Sequence, residues 1–271
     1  MCHLLKYISF IKKNNDIPFY IKRRVFDAAL MSAILYGCES WLSGDLKPII
    51  KLYNWGLKQL LGVRMTTTNI LCCVEAGYPA LADLVRLRQQ KFLRRMWQER
   101  RHIADDPLAH ALRIALDARS LTSRYVQNIL NGPAIVPAHS LERMREEVRV
   151  ADTSRIRTYA TLNPDRTVHN IYTERSYVNE LHRTAFTQFR ISAHSLAVET
   201  GRWNRRGRGR LPLEERLCAC GAVQTEVHVV NVCPLTDTLR VQYDINGIGD
   251  LLRSDAGKAC EFIYKILSSY N

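Results

Sequence analysis

The sequence has no run of apolar residues long enough to span a bilayer. Its longest mostly apolar stretch, Ala28 to Cys38, falls well short of the ~20 residues a membrane helix needs. At the N-terminus, Met1-Cys2-His3-Leu4-Leu5-Lys6 puts a lysine where a secretory signal needs its apolar segment, and no small-residue cleavage site follows. The cysteines lack the regular spacing of a disulfide framework: Cys72 and Cys73 are adjacent, and Cys2, Cys38 and Cys260 are scattered. These absences lead to the expectation of an intracellular protein, nuclear or cytoplasmic, with no membrane partner and no secretion. Acidic side chains are also scarce. There are 26 Asp and Glu against 39 Lys and Arg, for a net charge of +13. A surplus of that size favours a polyanionic partner, and RNA or DNA is the commonest one inside a cell.

What is present is enough for a folded body. A chain of 271 residues with 46% hydrophobic content can bury a real core and does not read as disordered. The chemistry concentrates near the end, in Cys218-Ala-Cys220-Gly221, His228 and Cys233-Pro234. Three thiols and an imidazole in that order form a Cys₃His set, which suits one tetrahedral, structural zinc ion. Gly221 stands where a tight turn needs a residue free to take positive φ. Cys233 lies about 140° around an ideal helix from His228, so the helix carrying His228 must end before Cys233.

Helical periodicity accounts for most of the rest. Ile21, Val25, Ala28, Ser32 and Leu35 recur on one face, after Asp16 as a cap and before Gly37 as a stop. A second helix carries Leu46, Ile49, Tyr53, Leu57 and Leu60 up to Gly62. From Leu81 to Arg101 the stripe is Leu81, Leu84, Val85, Phe92 and Met96, and Arg88, Lys91 and Arg95 follow its margin as candidate phosphate contacts. Asp106 before Pro107 reads as a helix N-cap rather than part of a carboxylate pair, since no hairpin flanks Ala104-Asp105-Asp106. Short helices follow at about 107–116 and 121–130, then a long one from Leu141 to Leu162 capped by Ser140. Residues 176–196 read as helix, with Tyr177, Leu181, Phe186 and Phe189 packing and His182 and His194 as satisfied histidines at the surface or an edge. A short helix at 236–243 and a last one bearing Ala259, Phe262, Ile263 and Ile266 close the chain. Between them, Gly201 to Arg210 is rich in glycine and arginine. Arg202, Arg205, Arg206, Arg208 and Arg210 suit phosphates, and Trp203 offers a stacking face to an unpaired base.

Three blocks resemble the C-terminal part of the reverse transcriptase of non-LTR, LINE-type retrotransposons. Leu35-Tyr36-Gly37-Cys38-Glu39-Ser40-Trp41, within Lys22 to Leu42, is similar to a Tyr-Gly-x-Glu-x-Trp segment just after the polymerase palm. Leu57 to Arg64 through Glu75-Ala76-Gly77-Tyr78-Pro79 is similar to the helical thumb and post-thumb region. Phe189-Arg190, His194, Gly201-Arg202 and Cys218 to Pro234 are similar to the family's terminal zinc knuckle. The resemblance implies a mainly α fold, a helical bundle of thumb-like and connector helices with a small C-terminal Cys₃His zinc knuckle. The regions expected are 1–103 (thumb-like), 104–198 (connector), 199–245 (arginine-rich segment and knuckle) and 246–271 (C-terminal helix). It also implies a grip on template RNA or target DNA. With no Tyr-x-Asp-Asp core and no nuclease, the expectation is a non-catalytic fragment from a truncated or degenerate copy, with no small-molecule substrate. The alternative is a helical scaffold or protein-interaction module with a purely structural zinc site.

Overall fold

The computed structural model describes residues 2–14, 16–41, 45–100, 102–103, 105–173, 178–203 and 209–270. The fold is mainly α, and among the described residues the only β pairing is an isolated antiparallel bridge between Leu217 and Val223. Helix α1 (Cys2–Lys13) leads to α2 (Phe19–Val25), which runs through a π-helical turn, Phe26–Met31, into α3 (Ser32–Ile34). Pro18, not Asp16, holds the N-cap position of α2. The buried face of this composite helix includes Lys22, Phe26, Leu30 and Ile34. Of the expected Ile21–Val25–Ala28–Ser32–Leu35 stripe, Leu35 is buried and Val25 packs against the core, while Ala28 and Ser32 are exposed. The wider i→i+5 turn brings every fourth residue round to the same side. Lys22 joins that face because its Nζ lies 3.0 Å from Glu180 Oε1.

Helix α4 (Lys47–Leu61) buries Tyr53, Leu57 and Leu60 as its spacing predicts. It crosses the π turn at Gly56, where a Cβ would lie 2.2 Å from Leu30 Cδ2, so any larger residue would force the Leu30 side chain to shift. After α5 (Asn69–Ala76) comes α6 (Leu81–Arg100), whose inward face departs from the predicted stripe. Gln89 and Gln90 are buried, and Phe92 is 45% exposed. Gln89 Nε2 donates to the carbonyls of Cys38 and Trp41, and Gln90 Nε2 to those of Ile129 and Pro133. Two satisfied amides closing off loop ends thus hold the face that Phe92 was expected to occupy.

Helices α7 (Pro107–Asp117) and α8 (Leu121–Asn131) fold back on the far half of α6 over a small separate core of Leu93, Val126 and Ile129. Asp106 caps α7 by accepting from the amides of Leu108 and Ala109. The single helix expected from Leu141 to Leu162 is two: α9 (Pro137–Val150) and α10 (Ser154–Leu162). Thr153 provides a new cap by accepting from Ile156 N. Ser140 lies inside α9, where its hydroxyl donates to Asp83 Oδ2 and accepts from Ala80 N. Helix α11 (Glu180–Arg190) is shorter than the expected 176–196; Leu181 faces solvent, and Tyr177 lies outside the described residues. The rest is α12 (Ala197–Thr200), α13 (Glu226–Asn231), α14 (Asp237–Tyr243), α15 (Ile248–Arg253) and α16 (Ala256–Ser269). Helix α16 lies along α11, and one hydrophobic core collects residues from Tyr7 to Leu267.

A chain of buried ionic groups crosses that core. Glu75 of α5 is fully buried and receives Arg190 Nε at 2.6 Å and Nη2 at 3.1 Å. The hydroxyls of Tyr159 and Tyr172 also donate to it, each at 2.9 Å. Tyr172 meets Thr187, Thr187 meets Arg183, and Arg183 forks onto Glu180, which also takes Lys22. Charges this deep are tolerated only when every lone pair and proton has a partner.

Candidate metal centre and basic surfaces

The metal-ligand motif folds locally. Leu217 and Val223 pair across a tight turn in which Cys218 N donates to Ala222 O and Gly221 N to Cys218 O. Gly221 takes φ +91, the left-handed region that its place after Cys220 predicts. Thr225 then caps α13 by accepting from His228 N, and the helix ends at Asn231. The amides of Val232 and Cys233 both turn back to His228 O, so Cys233 leaves the helix as the 140° argument requires.

The four donor atoms of Cys218, Cys220, His228 and Cys233 all lie within 4.8 Å of one another. Sγ of Cys218 is 3.6 Å from Sγ of Cys233, which is 3.9 Å from Sγ of Cys220; Cys220 Sγ is 3.2 Å from His228 Nε2. A tetrahedral ion with metal–sulfur bonds of ~2.3 Å sets its sulfurs about 3.8 Å apart. A disulfide would require ~2.05 Å. These spacings are those of a ligand shell, and the cluster can hold a metal ion. Burial, with a smaller contribution from Arg240, lowers the His228 pKa and favours the neutral imidazole that binds metals.

The centre is tied to the body at three places. Tyr270, just past α16, donates its hydroxyl to Cys233 Sγ at 3.0 Å. Burial first, and then this bond, push the Tyr270 pKa up, so it stays a donor. Glu226, in the first turn of α13, accepts from Ser192 and His194. His194 is buried rather than at the surface. Its Nδ1 accepts from Leu196 N, which leaves Nε2–H for Glu226. Burial raises the Glu226 pKa, but the His194 bond and charge outweigh it and the net shift is downward. Arg216, also buried, bonds the carbonyls of Val198 and Leu211. Outer partners of metal ligands usually contribute ~10–100-fold to affinity. Tyr270→Phe is therefore expected to weaken metal binding about tenfold, read by competition against a chromophoric chelator. Unaltered affinity would remove Tyr270 from the centre.

The basic residues singled out in the sequence do not gather at one place. On α6, Arg88 donates to Leu35 O and sits 3.9 Å from Glu39, Arg95 is 3.4 Å from Glu99, and Lys91 is exposed. In the glycine–arginine segment, Arg202 bonds Ser154 and pairs with Glu199, and Arg155 lies over the Trp203 ring at 5.8 Å. Arg210 is exposed, and with Arg202 and Arg216 it lines a recess of about 360 Å³. Arg205, Arg206 and Arg208 lie outside the described residues. Leu211 N donates to Gly201 O, so the two ends of this segment are pinned together ahead of the stretch that leads to Cys218.

Sequence reasoning passed over Tyr270 and Glu226, neither of which is a ligand. It also passed over the outward face of α4, where Lys47, Lys51, Trp55 and Lys58 recur at helical spacing off the core stripe. Asp105 and Asp106 form no paired site, because Asp106 is committed to capping and to Arg100 at 2.6 Å. No helix among the described residues is long and apolar enough to cross a membrane. Comparisons with protein-family models, curated proteins and solved structures gave no match.

Proposed function

We propose that the chain is a zinc-dependent nucleic-acid-binding protein related to the post-polymerase region of non-LTR retrotransposon reverse transcriptases, gripping RNA or DNA without catalysing a reaction. The observation that carries this reading is the Cys₃His cluster, with sulfur spacings of 3.6 and 3.9 Å, in a chain of net charge +13. Three thiolates and one imidazole at tetrahedral spacing select zinc over the hard, oxygen-seeking cations. Just before it in the chain, the glycine–arginine segment carries guanidinium groups and Trp203, the combination that tracks a single strand. Further support comes from Glu75 and Arg190, which lie in two separate blocks of the resemblance and meet in the core.

The test combines zinc stoichiometry with titration of labelled RNA and single-stranded DNA at two salt concentrations, on the wild type and Cys220→Ser. One zinc per chain, salt-sensitive binding and a weakened variant are expected. A chain that takes up no zinc and binds neither strand sinks the reading. A second reading, a helical interaction scaffold with a structural zinc, is favoured by Val232 and Leu235, 66% and 51% exposed on either side of Cys233. Deleting residues 201–210 separates the two: it abolishes strand binding in the first and leaves partner binding intact in the second.

A further inference from the structure

Along the outward face of α4 runs a groove of about 660 Å³, walled by Lys47, Lys51, Trp55 and Lys58 and closed on the far side by Met65 and Asn69. That volume lies within the ~300–1,000 Å³ of ordinary ligand sites. The first four residues stand at i, i+4, i+8 and i+11, one stripe about 16 Å long on an ideal helix. Among the described residues, no carboxylate lines the groove.

Lys58 makes the case more than the exposed lysines do. Its side chain is 6% exposed, its Nζ makes one hydrogen bond, to Met65 O at 2.7 Å, and among the described residues no ion pair includes it. Burial pushes its pKa down. A buried ammonium without a counter-ion is costly, and an anion seated in the groove removes that cost. At the same end, Thr68 gives α5 no side-chain cap, so the first-turn amides beside Asn69 add a partial positive charge. Trp55 is half-buried, with lysines one and two turns before it and Lys58 one turn after it. An aromatic face inside a cationic channel is how proteins take unpaired bases, whereas a free phosphate or a phosphopeptide has no use for the indole.

We infer that this groove holds single-stranded nucleic acid, with phosphates on Lys47, Lys51 and Lys58 and a base against Trp55. The inference rests on the nucleic-acid reading above and gives it a second contact surface, on a different helix from the glycine–arginine segment. Base stacking carries no sequence preference and phosphate contacts carry none either, so the groove grips without reading sequence.

The experiment uses the full chain loaded with zinc and labelled 12-mers of oligo(U) and oligo(dT), at 50 and 200 mM salt. Lys47 and Lys51 are exposed, so Lys47→Glu/Lys51→Glu should leave the fold intact, to be checked by thermal melting. It is expected to lose at least tenfold in affinity and to flatten the log–log salt slope by ~0.7 per lost phosphate contact on a single strand. Trp55→Ala should lose about 5- to 100-fold, with a smaller change in salt slope. Ultraviolet crosslinking should mark the Lys51–Lys58 peptide, and the stronger of the two oligomers identifies the strand type. If the wild type binds neither oligomer, the nucleic-acid reading itself falls. If the wild type binds and both variants bind equally well, the groove assignment falls and the reading stands. Tighter binding of inorganic phosphate or a phosphopeptide than of either oligomer, lost in the Lys47→Glu/Lys51→Glu chain, also overturns the inference.

Discussion

Removing zinc with a chelator, in the presence of a thiol reductant, is expected to lower the melting temperature by roughly 8–16 °C and to open residues 217–233 to protease. Binding that favours only the folded state adds about 4 kcal/mol when free zinc stands at ~1,000 times its Kd. In a chain of this size each kcal/mol moves the midpoint by ~2–4 °C. The local structure explains why the loss should centre on the knuckle. Helix α13 spans six residues, too few to persist alone, and the turn before it is held by one isolated bridge. Val229 and Val230 of α13 lie in the main core, and Tyr270 reaches Cys233 from the end of α16. Loosening therefore spreads to α13 and the end of α16 while the core of α2 to α6 stays folded. The reductant matters because Cys218 and Cys233, 3.6 Å apart at sulfur, would otherwise be free to oxidise once the ion leaves. Release of one equivalent of zinc, measured with a colorimetric chelator, should track the melting shift. A chain that melts at the same temperature after chelation and releases no metal would disprove a structural ion. Cys220→Ser is the milder form of the same test, since Cys220 is the most exposed of the three thiols.

The Cys₃His donor cluster was legible because its four donors lie within sixteen consecutive positions, where turn chemistry and helix geometry alone fix the layout. Gly221, Thr225 and the helix end before Cys233 are local decisions of that kind. Long-range polar partnerships left no comparable trace. Glu75 and Arg190 are 115 residues apart, Lys22 and Glu180 are 158 apart, and none of the four stands out by local pattern. A periodicity argument assigns charged residues to the solvent face. It thus placed Ala28 and Ser32 inward, where both are exposed and Lys22 is buried instead, and it left His194 at the surface or an edge. The expected Leu141–Leu162 helix failed for another reason: Ala151 and Asp152 do not break a helix by propensity, and the chain bends there because Thr153 caps a new start. The α4 groove was present in the sequence as lysines at helical spacing around Trp55. The pattern gained meaning only once Lys58 proved to be buried without a counter-ion.

Glu75→Gln is expected to cost about 3–5 kcal/mol, the largest loss from any single conservative substitution in the body of the chain. Glutamine keeps the shape of the side chain, so no cavity is made. What is lost is the charge opposite Arg190, whose guanidinium is 3% exposed and cannot turn to water. One amide oxygen replaces two carboxylate oxygens that together accept four hydrogen bonds, from Arg190 twice and from Tyr159 and Tyr172. The amide NH₂ then points at donors, which adds repulsion to the lost attraction. Glu75→Met with Arg190→Met removes both charges and should recover part of the loss. It should not recover all, because Tyr159 loses its carboxylate acceptor and Leu162 O its guanidinium donor. Tyr172 fares better, since Thr187 remains beside its hydroxyl at 2.7 Å. Urea unfolding of the wild type, Glu75→Met, Arg190→Met and the double variant gives the coupling directly, provided the m-values agree. Because α11 carries Arg190 and lies along α16, the Glu75→Gln chain should also hold zinc less tightly through a loosened Tyr270. A loss below about 1 kcal/mol with no coupling would mean that packing of α5 against α4 and α9 suffices, and that the ionic chain does not hold the helices together.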